Sequence, residues 1–253
     1  MIKNYSIGKR ILSVLAIATT FATVASADFA RVEMGAGAWM QTPSGLLSYT
    51  DSSGTSLKDI SQETKQTEGY AWLLIKHPIP ILPNIRLEYV DTLNIGKFSV
   101  AYNGFSSAEA GSSKLKMTQY DVVPYYNILD NTGWMTLDLG LDVKVIQLNY
   151  TADATLIQAT TAKMLAIPLG YVRARVQAPF MNWGVEADIK YLSYGGNTVS
   201  DKRVKVDYTF GAFPIIQPAI EIGYRVQKFD LSNGGYAVNL EYKGVYAGLM
   251  LRF

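Results

Sequence analysis

One histidine and no cysteine limit the side-chain chemistry open to this chain. His77 is followed by Pro78, a pair that reads as a turn. Serine-based hydrolysis sets a histidine beside the nucleophile and a carboxylate, and no G-x-S-x-G run precedes a helix here. A centre ligated by cysteine and histidine is out of reach. Paired carboxylates remain, since two on one face can divide general acid and base roles. Asp138 and Asp142 are four residues apart and Glu186 and Asp188 two apart, so each pair shares a face if it lies on a strand. Lys144 and Lys190 follow on those same faces, which turns the reading from catalysis to ion pairing. No catalytic residue, metal ligand or cofactor is expected.

The elements that hold these residues are strands. From Phe29 onward apolar and polar residues alternate, and helical spacing is not sustained. In 134–150, Met135, Leu137, Leu139, Leu141, Val143 and Val145 form one apolar face, opposite Thr136, Asp138, Gly140, Asp142 and Lys144. Ten such segments are expected, at about 29–40, 68–76, 85–102, 114–127, 134–150, 163–177, 183–194, 202–213, 219–229 and 237–253. Eight is the fallback number if the second or third is misdrawn. Pro124 and Pro168 fall inside two of them and predict bulges or strand ends, because proline cannot donate to a ladder.

The charged residues of these segments lie opposite the apolar ones. They are Arg31, Glu33, Arg86, Glu88, Asp138, Asp142, Lys144, Arg173, Arg175, Glu186, Asp188, Lys190, Arg203, Lys205, Asp207, Glu221 and Arg225. The two signs nearly balance. A soluble sandwich cannot bury so many charges, since each unpaired buried ion costs several kcal/mol. A small barrel with its apolar face turned to lipid can pair them across its interior.

The connections alternate in kind. Residues 78–84, 129–133, 178–182 and 214–218 are short and carry Pro, Asn or Gly, whereas 42–67, 103–113, 151–162, 195–201 and 230–236 are more polar and often longer. Short turns on one side and longer loops on the other are the mark of membrane barrels. Thr42–Thr67 is the longest and reads as a solvated external loop. Trp134, Trp183, Tyr125, Tyr126, Phe213 and Phe253 adjoin the short-turn side and form an expected aromatic girdle, with Trp39, Tyr102 and Tyr194 nearer the other rim.

The two ends agree with this reading. Lys3, Lys9 and Arg10 precede an uncharged apolar stretch from Ile11 to Val24, and Ala25-Ser26-Ala27 matches a small-x-small cleavage site. Residues 1–27 therefore read as a secretory signal peptide cut after Ala27, and 28–253 as one barrel domain. Removing three cations leaves 20 Lys and Arg against 21 Asp and Glu, a net charge of about −1, with no basic footprint for nucleic acid. At the other end Val245, Ala247, Leu249, Leu251 and Phe253 share one face, with Gly248 and Arg252 on the other.

A terminal phenylalanine on such a strand resembles the closing strand of bacterial outer-membrane β-barrels, which the barrel-insertion machinery reads. The whole resembles a small proteobacterial outer-membrane β-barrel. The stretches Asp28–Trp39, Thr118–Asp121, Tyr125–Asn131 and Leu137–Lys144 also resemble an uncharacterised family from Campylobacter-like (epsilonproteobacterial) bacteria. That family implies no activity and no site residues. The expected fold is all-β: a transmembrane, antiparallel, up-and-down β-barrel in the outer membrane of a Gram-negative bacterium. Expected partners are outer-membrane lipid and lipopolysaccharide, with the insertion machinery and periplasmic chaperones during biogenesis, and the expected state is a monomer. The expected role is structural or at the surface, with minor passive solute conduction left open. The alternative is a barrel enzyme acting on lipid or peptide at the cell surface.

Overall fold

The computed structural model describes residues 30–253 except 51, 80, 103–104, 107–110, 133, 155–156, 179 and 212–215. Ala27 and Phe213 lie outside the described residues. The strands are β1 (Arg31–Thr50), β2 (Thr55–Ser61), β3 (Gln66–Lys76), β4 (Asn84–Tyr102), β5 (Phe105–Ser106) and β6 (Gly111–Thr132). They continue with β7 (Met135–Ala154), β8 (Ile157–Val176), β9 (Trp183–Tyr194), β10 (Asn197–Thr209), β11 (Gln217–Asn233) and β12 (Tyr236–Arg252).

β2 and β3 are two halves of one stave. Both pair with β1 on one side and β4 on the other, and they are parted by residues 62–65. β5 is a short extension paired with β4 alone. Ten antiparallel staves remain. They close into a barrel where β1 meets β12, from Glu33↔Arg252 to Tyr49↔Tyr236. Closure matters physically, because a lipid-exposed open edge would leave backbone groups without partners.

Along several staves the inward and outward faces exchange character part-way up. Near the chain termini the outward residues are apolar and the inward ones charged. On β7, Met135, Leu139, Leu141 and Val143 are exposed outward, while Asp138, Asp142 and Lys144 are buried inward. Above Val145 the outward residues become Gln147, Asn149 and Thr151, and the inward ones Ile146, Leu148 and Tyr150. The same exchange occurs on β6, β10, β11 and β12. Outward Tyr120, Val204, Val226 and Val245 give way to Lys116, Lys202, Lys228 and Lys243; inward Asp121, Asp201 and Arg225 give way to Met117, Val199 and Phe229. On these staves the lower barrel is thus built for a lipid exterior, and the upper barrel for a water exterior around apolar inward residues.

Several expectations need correction. Residues 42–67 are mostly strand, because the barrel wall continues above the apolar belt: β1 runs to Thr50 and β2 begins at Thr55. Residues 195–201 are not a loop either. Gly195 and Gly196, with φ of 59° and 82°, make a two-residue hairpin turn, and β10 begins at Asn197. Tyr125 and Trp39 are not girdle or rim residues. Both point inward and are 1% exposed. The girdle keeps Trp134, Trp183 and Tyr126, joined by Phe180, Tyr208 and Phe210.

The prolines behave differently from one another. Pairing of β6 with β7 resumes in one register on either side of Pro124, from Val122↔Val143 to Tyr125↔Gly140, so no bulge forms there. Pro168 lies just above Gly170↔Tyr191, the uppermost pair of β8 with β9, and does mark an end. The bulges of β6 instead lie near the short turn, between Asn127 and Thr132.

Candidate functional site: the closed lumen

Sixteen of the seventeen charged residues expected inside are buried, each at most 7% exposed. Arg31 is the exception. Its side chain is 44% exposed at the lower rim, where it pairs with Glu33, because the first residue of β1 has no wall below it. Alternation places the other sixteen, and their rows fall into tiers.

The lowest tier runs most of the way around the wall. Glu33 meets Arg252 at 3.3 Å, and Arg252 meets Asp207 at 2.8 Å. Asp207 accepts from Arg175 at 2.5 and 2.9 Å. Arg175 approaches Glu186 at 3.5 Å, Glu186 accepts from Arg173 at 2.7 Å, and Arg173 donates to Asp138 at 2.6 Å. Asn127 donates to Asp138 at 2.5 Å and accepts from Asn84 at 2.8 Å. The chain of contacts starts on β1 and passes through β12, β10, β8, β9, β7 and β6 to β4.

The middle tier crosses the lumen instead of circling it. Glu88 of β4 accepts from Arg86 at 2.5 Å, Lys190 at 2.8 Å and Arg203 at 2.7 Å. β4 and β10, the strands of Glu88 and Arg203, are five staves apart in a ring of ten. That contact therefore spans the full diameter. Arg203 is also held by both oxygens of Asp188, at 3.0 and 3.1 Å. Glu221 accepts from Lys205 at 2.9 Å, Tyr70 at 2.8 Å and Trp72 at 3.0 Å. One tier up, Lys144 reaches Asp121 at 2.9 Å and Asp201 at 3.2 Å. Gln119 of β6 donates to Gln227 of β11 at 3.0 Å, again between opposite staves.

Above the glutamines the lumen is apolar on the side of β7 to β12 and polar beside β2 and β4, where Asp59, Thr92, Asn94 and Ser113 are buried. Met117, Ile146, Leu169, Val199, Phe229 and Tyr242 belong to one buried cluster with Leu148, Ile167, Leu192 and Leu231 packed against it. The lumen is thus shut twice, by ion pairs and then by hydrocarbon. The cavity bounded by Trp39, Tyr70, Arg203, Arg225 and Tyr246 has a volume of about 10 Å³, room for one water at most.

Asp121, Asp201 and Arg252 are lumen charges that the sequence reading missed. Asp201 stands two residues before Arg203, so extending that alternation by one step would have found it. Arg252 lies on the face opposite Phe253, in plain alternation. Asp121 gave little signal, because its inward neighbours Met117, Val123 and Tyr125 are not charged.

No protein-family model matches the sequence, and neither does any curated protein. Solved structures do match. The outer membrane protease OmpT from Escherichia coli aligns over 92% of this chain and 100% of its own, with a TM-score of 0.55 and 10% identity. The fold is that of an outer-membrane β-barrel. The translocator domain of the autotransporter NalP from Neisseria meningitidis aligns over 97% of this chain and 96% of its own, at 11% identity and a TM-score of 0.43. At such identities the likeness to OmpT extends to the fold alone, and no site residue carries over.

Proposed function

We propose that this protein is a non-conducting barrel of a Gram-negative outer membrane, with a structural role or one exercised at its external surface. The 2.7 Å contact of Glu88 with Arg203 across the full diameter carries this reading. A hydrated ion passing that level would have to break a buried, multiply bonded carboxylate out of its site. The apolar cluster above it forms a second barrier, since an apolar constriction excludes water and ions. The test is single-channel recording of the refolded mature protein in a planar bilayer. Silence is expected, and discrete steps would overturn the reading in favour of a narrow pore.

Lipid contacts follow from the outward face. The apolar belt ends at Lys116, Lys202, Lys228 and Lys243, placed where phosphate-bearing headgroups of the outer leaflet, lipopolysaccharide included, lie. Phe253 exchanges backbone hydrogen bonds with Val32, at 2.9 and 3.3 Å, and so pins the last strand to the first. Insertion by the barrel-assembly machinery is proposed to depend on it. Deleting Phe253 is expected to cut the yield of heat-modifiable, membrane-inserted protein several-fold, read by gel migration with and without boiling. The narrower kinship with Campylobacter-like proteins rests on the sequence stretches given above, and the proposed monomeric state on the closure of β1 against β12, which completes the barrel from one chain.

A surface enzyme is the weaker reading. The single histidine is committed to the lower turn: His77 Nε2 lies 3.0 Å from the Pro83 carbonyl and Nδ1 accepts from the Ile79 amide at 3.2 Å. Both ring nitrogens serve the backbone, at the end of the barrel away from the cell surface.

A further inference from the structure

In the upper barrel the two halves of the split stave leave polar atoms that the ion-pair tiers do not explain. Asp59 points inward from β2 and is 2% exposed. Its Oδ2 accepts from Tyr150 at 2.9 Å, while Oδ1 has no hydrogen-bond partner. Among the described residues no lysine or arginine forms an ion pair with it. Ser61 Oγ and Asn94 Oδ1, both buried and on the same inward face, also lack partners. A buried carboxylate oxygen left bare is costly and rare in a folded protein.

Other oxygens converge with Asp59 Oδ1 over Gly96. Gly96 pairs with Ser61 on β2 and with Ser113 on β6, so the three form a lateral row. Asp59 Oδ1, Ser113 Oγ and the Ile60 carbonyl all lie within 3.0 Å of where a Cβ on Gly96 would stand. With no side chain on Gly96, these oxygens close directly over its backbone. Asn94 follows two residues along β4 on the same face. Below Ser61 the pairing of this stave with β4 lapses until Tyr70↔Val90. A cleft of about 270 Å³ lined by Ile60, Ser61, Gln62, Lys97, Phe98 and Ser99 lies beside it.

We propose that Asp59, Ser61, Asn94, Ser113 and the Ile60 carbonyl hold a calcium ion. The set is all oxygen, which suits a hard cation, and contains no nitrogen or sulfur that would draw a transition metal. A single carboxylate supplies little charge, so affinity falls in the range of extracellular modules, on the order of 10⁻⁴–10⁻³ M. The site lies above the apolar belt, on the side facing the medium, where calcium at that level is met. The cation replaces the missing partner of Asp59 and ties β2, β4 and β6 together where the ladder is broken.

The test uses Tb³⁺, an oxygen-seeking calcium mimic, with the mature protein refolded in a zwitterionic detergent free of lipopolysaccharide. Tyr150, in contact with the carboxylate, serves as the antenna. Excitation of tyrosine is expected to give Tb³⁺ luminescence that millimolar Ca²⁺ displaces and magnesium displaces poorly. Asp59→Asn is expected to lose at least ten-fold of the displaceable signal, and Ser61→Ala to weaken binding several-fold while keeping the heat-modifiable gel shift. Calcium should raise the thermal midpoint of the parent protein and not that of Asp59→Asn. Luminescence unchanged in both variants would overturn the proposal, and so would no calcium effect on the midpoint; water would then be the partner of these atoms.

Discussion

Replacing Glu88 by alanine is expected to cost about 3–5 kcal/mol of stability, the penalty for stripping one partner from a buried charge cluster. The reason lies in what remains. Arg86, Lys190 and Arg203 all donate to that carboxylate, and Arg225 stands 3.9 Å away. Without it three or four cations share a space sealed from water, with fewer anions to hold them. Urea unfolding of the vesicle-refolded protein, followed by tryptophan fluorescence, reads the loss. Glu88→Gln should cost less, because the amide oxygen still accepts. Glu88→Ala combined with Arg203→Ala should recover part of the loss, as expected of directly coupled neighbours. A loss below about 1 kcal/mol, the scale of a solvent-exposed pair, would mean that the centre of the barrel is wet. Glu88→Ala is still expected to be electrically silent, since the apolar cluster above closes the lumen independently.

The second large effect concerns the outward face of a single strand. Leu141 and Asn149 both point outward from β7, eight residues apart. Leu141, 65% exposed, sits mid-belt. Leu141→Arg is expected to cost about 2–4 kcal/mol, the penalty for a cation near the bilayer midplane on a barrel's lipid face. Asn149→Arg, above the exchange of faces, should stay within about 0.5 kcal/mol, as surface changes do. Equal costs at the two positions would place the belt boundary elsewhere. The comparison needs only refolding yields and urea midpoints of the two variants in the same vesicles.

Much of this molecule was legible in its sequence, for a definite reason. Alternation with period two fixes which side chains share a face, and it survives errors in where a strand starts or stops. Hence the ten staves, the lipid face of β7 and sixteen inward charges followed from spacing alone. Apolar does not always mean outward in this barrel. Residue type puts Tyr125 in the girdle and Trp39 near the other rim, yet parity with Asp121 and Glu33 puts both inside. The upper barrel hid for the same reason. Its outward polar residues, such as Gln147, Asn149 and Thr151, look like loop composition until the strand is seen to continue past the belt. The oxygens gathered at Gly96 join β2, β4 and β6, and no local pattern announces a contact between segments so far apart in the chain.

The wall of the barrel is uneven in height. The β9–β10 hairpin ends at Gly195–Gly196, whereas β8 climbs on, and among the described residues 157–169 pair with β7 alone. That stretch is a free margin of sheet with Met164, Leu165 and Ala166 open to solvent. Such margins recruit strands from other molecules, and sequences blunt them with proline and lysine. Pro168 and Lys163 stand on this one. Exchanging both for valine should leave the monomer's ladder intact yet turn the purified protein into a self-associating species, visible as growth in particle size during storage. Those two residues guard solubility outside the bilayer, a duty unconnected with anything the lumen does.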